Sequence, residues 1–306
     1  MIAAVVTSYG RWELLRRLLA SLRRCTPPLR VVVVDNHPEH RVRSLVRTEG
    51  WGDMVVLEPP ENLGPGGGVA LGLTHALTDP AVQHVLICDD DAEVDPTAPA
   101  ALAEIADRHG SAAALPLIER ADGTIGWFPG LLEPAKWRVI KRSGLRPAEY
   151  LTQCGPDPVR FSWAPWPVLL ITRAAIVACG VPRADVWYQI SDLEYTLRLS
   201  AQRPCLWVPT VRCRHLPPGL PPGSRRGYFY DCCGLQNSFY VFVHLPHARS
   251  ALRHLPGNLC RFVARWGARP SVFADLFRAF WWGTLRARPG GATGFTYFRE
   301  RAEQCR

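Results

Sequence analysis

The sequence predicts an α/β fold, a mostly parallel sheet flanked by helices, with a helical extension at the C-terminus. Three observations carry the prediction. Short β-branched runs alternate with amphipathic segments from the first residues onward: Ile2 to Thr7, a helix, then Arg30 to Asp35. Strand, helix, strand in that order makes a right-handed parallel unit. The stretch His84-Val85-Leu86-Ile87-Cys88-Asp89-Asp90-Asp91 sets four apolar residues between polar ones, as a central strand buried on both faces requires. Finally, 306 residues with 47% hydrophobic content suffice for one large domain or two packed ones and exclude a disordered chain.

The elements follow in order. Trp12, Leu15, Leu18, Leu19 and Leu22 fall on one helical face, with Arg16, Arg17, Arg23 and Arg24 on the other, until Pro27-Pro28 stops the helix. A short helix (Val42, Leu45, Val46) and a strand from Met54 to Leu57 come next. Asn62-Leu63-Gly64-Pro65-Gly66-Gly67-Gly68 then opens a helix carrying Val69, Leu71, Leu73 and Leu77. Glycines at a helix start allow backbone N–H groups to approach a phosphate or a base, or simply form a flexible loop. The spacing matches neither a P-loop nor a dinucleotide fingerprint. Beyond the triple acid lie a helix near Ala98 to Asp107 and a strand near Ala112 to Ile118.

From Asp122 to Pro158 turn residues crowd in, which predicts a hairpin and a mobile loop. Trp163 and Trp166 serve either as core or as a stacking platform for a sugar ring. A short helix ends at Gly180. The segment Trp187 to Arg198 reads as the first turns of a helix with Ser191 as N-cap and Asp192 and Glu194 near the positive end of the dipole. Two strand-like pieces, Cys205 to Pro209 and Val211 to Arg214, end at His215.

Composition narrows the class. No apolar run reaches the roughly 18–20 residues needed to span a bilayer, and the N-terminus reads as a strand, not a leader, so a cytoplasmic protein is expected. The ten cysteines are scattered without a C-x-x-C pair and read as reduced thiols. Of the net charge of +9, nearly all lies beyond residue 240, where eleven arginines face Asp275, Glu300 and Glu303. That excess suggests an anionic surface or acceptor, and no nucleic-acid reader motif accompanies it. Phe273, Leu276, Phe277, Phe280 and Trp281 fall at helical spacing in this segment, with Arg261, Arg265 and Arg269 before them and Arg278 and Arg286 nearby. They describe either a helix packed on the catalytic domain or one lying on a membrane.

The chemistry centres on the triple acid. Side chains alternate along extended chain, so Asp89 and Asp91 point one way and Asp90 the other. Two same-side carboxylates at the carboxyl end of a buried strand repel, and a hard divalent cation between them removes the conflict. Ligands bind at such strand ends in α/β sheets. Asp35 closes the second strand as either a turn residue or a contact to a ribose or base.

Taken together, V-V-T-S-Y in the first strand, V-V-D-N after the second, N-L-G-P-G-G-G, D-D-D, S-D-L-E-Y and a downstream H-L-P resemble the family 2 glycosyltransferases of the GT-A fold, closest to galactofuranosyl- and rhamnosyltransferase-like members. The resemblance implies a GT-A domain over residues 1–240, with a nucleotide-sugar half (1–118) and an acceptor half (119–240), followed by a basic helical extension (241–306). It implies nucleotide-sugar contacts from Thr7, Asp35, Asn62, Gly64, Asp89 and Asp90, and Mn2+ or Mg2+ held by Asp89, Asp91 and His215. Asp192 becomes the general base, and Glu194 binds the acceptor or assists catalysis; Trp163 and Trp166, as the stacking platform read above, would meet the acceptor. Two features depart from the family pattern: Ser191 stands where a second acid is usual, and Tyr228-Phe229-Tyr230-Asp231 through Asn237 lacks the usual arginine.

The implied reaction is metal-dependent, inverting transfer from a UDP- or dTDP-sugar to a glycan, lipid-linked or natural-product hydroxyl. The enzyme would be cytoplasmic, either with the C-terminal helix packed on the domain or peripheral at the inner face of the membrane. Two rivals stand beside it. A nucleotidyltransferase needs a glycine-rich basic loop after the first strand, which Ser8-Tyr9-Gly10-Arg11-Trp12 does not supply. A non-catalytic peripheral membrane protein with a decayed transferase site would show no donor hydrolysis.

Overall fold

The computed structural model describes residues 1–131, 144–217 and 225–285. The chain forms two compact units: Met1–Leu63, Gly68–Val181 and Tyr195–Pro217 make the first, and Gly64–Gly67, Pro182–Glu194 and the chain from Pro218 onward make the second.

The first unit is built on a sheet whose ten strands, among the described residues, are β1 (Ile2–Ser8), β2 (Arg30–Asp35), β3 (Val55–Leu57), β4 (His84–Asp89), β5 (Ala92–Val94), β6 (Ala113–Glu119), β7 (Ile125–Trp127), β8 (Val159–Phe161), β9 (Val168–Thr172) and β10 (Cys205–His215). The main order is β3-β2-β1-β4-β9-β6-β10-β5. The first four run parallel. Strand β9 is antiparallel to both β4 and β6, so the sheet as a whole is mixed. Strand β10 runs parallel to β6 and takes β5 and β8 antiparallel.

Alternation along the strands divides the core between the two faces. Ala3, Val5, Val85 and Ile87 bury one way, and Ile2, Val6, Leu86 and Cys88 the other. A strand apolar at every position is stable only because both faces are covered. Helix α1 (Trp12–Arg23) covers one face through Leu15, Leu18, Leu19 and Leu22, the stripe its spacing predicts. Truncating any of these leucines to Ala costs about 2–5 kcal/mol. Helix α2 is Val42–Thr48 and helix α3 is Gly64–Ala76. In α3, Gly72 lies so close to β1 that an added Cβ would sit 2.3 Å from Val5 Cγ1. Helices α4 (Ala98–Arg108), α5 (Pro147–Cys154) and α6 (Arg173–Cys179) complete the packing of this unit.

The expected hairpin is present, as β7 pairs antiparallel with β6. Residues 132–143 of the expected loop lie outside the described residues, as do Arg286, Glu300 and Glu303. The two strand-like pieces after residue 204 form one strand, with a register shift against β6 between Val208 and Arg212.

Helix α7 (Ser191–Gln202) begins at Ser191 itself, so Ser191 is not the N-cap that its sequence context suggests. The carbonyl of Ile190 accepts from Glu194 N–H at 2.8 Å and so closes the first turn. Gln189 and Ile190, just before it, hold φ of 59° and 68°. A β-branched residue in that region is strained.

The second unit is helical after residue 225: α8 (Arg225–His244), a 3₁₀ stretch (Pro246–His254), α9 (Leu255–Trp266), α10 (Pro270–Phe280) and a π-helical turn (Trp281–Leu285). Trp187, Tyr228, Phe229, Cys233, Phe262 and Val272 form its core. Helix α10 does not bury the aromatic face that its spacing defines. Val272, Asp275 and Ala279 are buried, whereas Phe273, Phe277, Phe280 and Trp281 are exposed. Among the described residues no disulfide joins any of the nine cysteines. Among the described residues no helix is long and apolar enough to cross a membrane.

Candidate metal centre and other candidate site residues

Sheet register assembles the centre. Strand β4 lies parallel to β1 with Thr7 beside Asp89. Strand β5, two residues farther along the chain, lies antiparallel to β10 with Ala92 beside His215. The Leu216 N–H then donates to the Asp91 carbonyl at 2.9 Å. Residues 124 positions apart are thus neighbours because β5, which begins directly after Asp91, pairs with the end of β10.

Asp89, Asp91 and His215 each offer one ligand atom, and the three atoms lie within 4.8 Å of one another. The ring Nε2 of His215 stands 2.9 Å from Asp91 Oδ1. Two carboxylate oxygens and one imidazole nitrogen suit a hard or borderline divalent ion that keeps other positions open. The electrostatics agree. Burial, reinforced by the charge of Asp91, pushes the Asp89 carboxyl up to about 7 against the pull of His215 and Arg11. Burial also acts to raise Asp91, but the His215 hydrogen bond and the Arg11 charge outweigh it and hold that carboxyl below its ordinary value. The cluster is short of positive charge.

The alternation expected of extended chain stops at Asp89, because Asp90 and Asp91 lie in the turn after β4, where Asp90 is fully buried. It accepts from the Tyr9 N–H at 3.2 Å and pairs with Arg11, which binds Asp91 as well. Burial still keeps the Asp90 carboxyl above its ordinary value, although Arg11 draws it down. Arg11 was not among the residues singled out from the sequence. Its signal is the parallel register: the loop that leaves β1 must pass beside the loop that leaves β4.

The other expected donor-side residues divide. Thr7 Oγ1 is buried, with no hydrogen-bond partner among the described residues. An added Cβ at Gly68 would sit 2.5 Å from Thr7 Cγ2 and 2.8 Å from Asn36 Nδ2, so glycine lets α3 approach this strand end. Asp35 is fully buried and its carboxylate accepts from the N–H groups of His37 (3.2 Å) and Val42 (3.0 Å), closing its own loop. Asn62 is partly buried in the loop before α3. Gly64 has φ of 68° and an added Cβ would stand 2.2 Å from the Trp187 carbonyl oxygen. Backbone from 183 to 191 crowds Gly64 and Gly66, so these glycines serve chain packing.

Asp192 lies in the first turn of α7, partly buried, and accepts from the Leu193 N–H at 2.8 Å. Burial pushes its carboxyl up to about 6, against the backbone hydrogen bonds that lower it. Asn237, fully buried on α8, donates through Nδ2 to the carbonyls of Tyr188 (2.7 Å) and Gln189 (3.3 Å), and so braces the strained turn in front of α7. Glu194 is buried, with His247 Nε2 3.3 Å from its carboxylate. His247 also escaped sequence reasoning, since nothing in its neighbours marks it. Trp166 is spent on the core, edge-on to Tyr195 at 6.2 Å, so its ring is not an exposed platform. Trp163 is half-buried, its ring against Gly130.

Comparisons with known proteins bear on the family and the fold. The chain is 34% identical over 123 residues to the galactofuranosyltransferase GlfT1 of Mycolicibacterium smegmatis, a match spanning 40% of each protein. Among solved structures, S. aureus TarS superposes with a TM-score of 0.60 at 13% identity, covering 94% of this chain and 49% of TarS. GalNAc-T7, crystallised with UDP, GalNAc and Mn2+, gives a TM-score of 0.60 at 15% identity, covering 98% of this chain and 56% of that one. At such identities the likeness establishes the fold, the GT-A arrangement of a mixed sheet flanked by helices. The model of the family described as glycosyl transferase family 2 matches residues 3–160, a little over half of the sequence, and so the chain belongs to that family.

Proposed function

We propose that the protein moves a sugar from a nucleoside diphosphate sugar, UDP- or dTDP-linked, to a hydroxyl of a glycan, lipid-linked or natural-product acceptor, with inversion at the anomeric carbon. The single observation that carries the reading is the convergence of Asp89, Asp91 and His215 on one point. These residues would hold Mn2+ or Mg2+, which would supply positive charge for the departing diphosphate. GalNAc-T7, with the same fold, was crystallised with Mn2+ and UDP, and the curated relative is a galactofuranosyltransferase. Both support a sugar-nucleotide donor.

In this reading Asp192 takes the proton from the acceptor hydroxyl. A carboxyl raised to about 6 is ionised at neutral pH yet more basic than an ordinary aspartate, which suits a general base. The acceptor oxygen forms its bond to the anomeric carbon as the bond to the diphosphate oxygen breaks, and the proton remains on Asp192. Attack from the face opposite the leaving group gives inversion. Glu194, held beside His247, orients the acceptor. The bent, left-handed backbone at Gln189 and Ile190 aims the first turn of α7, and Asn237 holds that bend.

The test is a panel of UDP- and dTDP-sugars assayed for release of the nucleoside diphosphate, with and without Mn2+ or Mg2+. Metal-dependent release that falls about a hundredfold or more in Asp91→Asn and His215→Ala is expected. Equal release from wild type and both variants would remove the metal centre from the reaction.

A further inference from the structure

We propose that the second unit carries a docking surface for an anionic lipid bilayer, formed by α10 and the π-helical turn after it. The proposal is independent of the transferase reading, because it rests on a surface and not on the metal centre.

Helix α10 is built the wrong way round for an ordinary packed helix. It turns Asp275 inward, 1% exposed, where the carboxylate accepts from the Tyr228 hydroxyl at 2.7 Å. Small or medium side chains, Val272 and Ala279, supply its buried apolar contact. The large apolar side chains face out: Phe273 is 48% exposed, Phe277 60%, Phe280 36%, Trp281 38% and Leu285 58%. At about 100° per residue, positions 273, 277, 280 and 281 fall within one sector of roughly 100°. Phe277 and Trp281 stack at 6.2 Å, so the ridge is continuous. Full burial of each such ring would contribute about 1.5–3 kcal/mol that the isolated chain forgoes. Scattered exposed apolar residues need no explanation, but a contiguous ridge of this kind marks a contact surface.

Charge selects the occupant. Residues 241–285 contain Arg249, Arg253, Arg261, Arg265, Arg269 and Arg278 against one acid, the buried Asp275. Arg265 is paired with Asp231, while Arg249, Arg253, Arg261 and Arg269 are exposed. The ionised surface of this segment is therefore positive throughout. An anionic bilayer satisfies both features at once: aromatic rings enter the boundary between headgroups and acyl chains, and arginines meet lipid phosphates. Insertion is shallow, since among the described residues no helix is long and apolar enough to cross.

The experiment is co-flotation of the full-length protein with vesicles of phosphatidylcholine alone and of equal parts phosphatidylcholine and phosphatidylglycerol. Binding to the anionic vesicles at low salt is expected, weakened by added salt. Phe277→Ser alone should lower it, and Phe273→Ser/Phe277→Ser/Trp281→Ser by about tenfold or more. The control is Val177→Ser, which removes an exposed apolar side chain from the first unit. It should bind like wild type. Absence of wild-type binding overturns the proposal, as does undiminished binding by the triple variant. Light scattering that shows a dimer abolished by Phe277→Ser also overturns it, by assigning the ridge to a second copy of the chain.

Discussion

Arg11 and His215 hold the two oxygens of the Asp91 carboxylate, the guanidinium on Oδ2 and the imidazole Nε2 on Oδ1. One acidic residue is thereby fixed from two sides by groups that sequence places at opposite ends of the first unit. Arg11 also neutralises Asp90, which has no exposure to water. Its own guanidinium loses by burial, but Asp90, Asp91 and Asp89 outweigh that loss and hold its pKa above the ordinary value.

Removing Arg11 therefore leaves a buried carboxylate without its partner. Arg11→Ala should destabilise the protein by about 1–3 kcal/mol, discounted from the fully buried case because the arginine is itself partly exposed. Arg11→Lys should recover part of the loss, since it restores a charge without the two-pronged geometry. Denaturant midpoints with unchanged slope check this. Equal stability of wild type and Arg11→Ala would show that Asp90 is satisfied by other means.

The second prediction concerns Asp192 and pH. Its carboxyl is raised to about 6 by burial. Transfer should then fall tenfold per pH unit below about 6 and level off above it. Asp192→Asn should keep donor binding and lose about 10²–10⁴-fold in transfer. Stability moves in the opposite sense. An acid with a raised folded-state pKa retains a proton that the unfolded chain has already lost, so its contribution falls as pH rises from about 4 toward 6. The Asn variant should consequently melt higher than wild type at pH 7 and no higher near pH 4. A gain of the same size at both pH values would remove burial of the charge as the cause.

Asn237 supplies the third. Its amide braces the carbonyls of Tyr188 and Gln189 beside two left-handed residues. Asn237→Ala should lower kcat about tenfold or more while leaving donor KM nearly unchanged, because the turn before Asp192 relaxes. Loss of two buried hydrogen bonds should also cost about 1–3 kcal/mol. A variant with normal kcat and reduced stability would assign Asn237 to structure alone.

Much of the fold was legible because its signals are local. β-branched runs, the leucine stripe of α1 and the proline stop after it are properties of a dozen neighbouring residues. The acidic end of β4 was legible for the same reason, since an unbroken apolar run marks a buried strand, but the side each acid takes was not, because Asp90 and Asp91 lie in the turn after it. Strand order is a different matter. Nothing near Val168–Thr172 indicates that this strand enters antiparallel between β4 and β6, and so mixes the sheet.

The sequence by itself determined the α/β class, the acidic strand end and the basic C-terminal segment, because each depends on periodicity or composition within a short span. Only the tertiary structure decided which distant groups meet. It brought His215 to Asp91 through pairing of β10 with β5, carried Arg11 to the same carboxylate through the register of β1 and β4, and set His247 against Glu194. It also turned the aromatic ridge of α10 outward, where helical spacing alone leaves the direction open. The physical reason is common to all four. Periodicity states which side chains share a face, but what that face touches is fixed by contacts that no stretch of neighbouring residues contains.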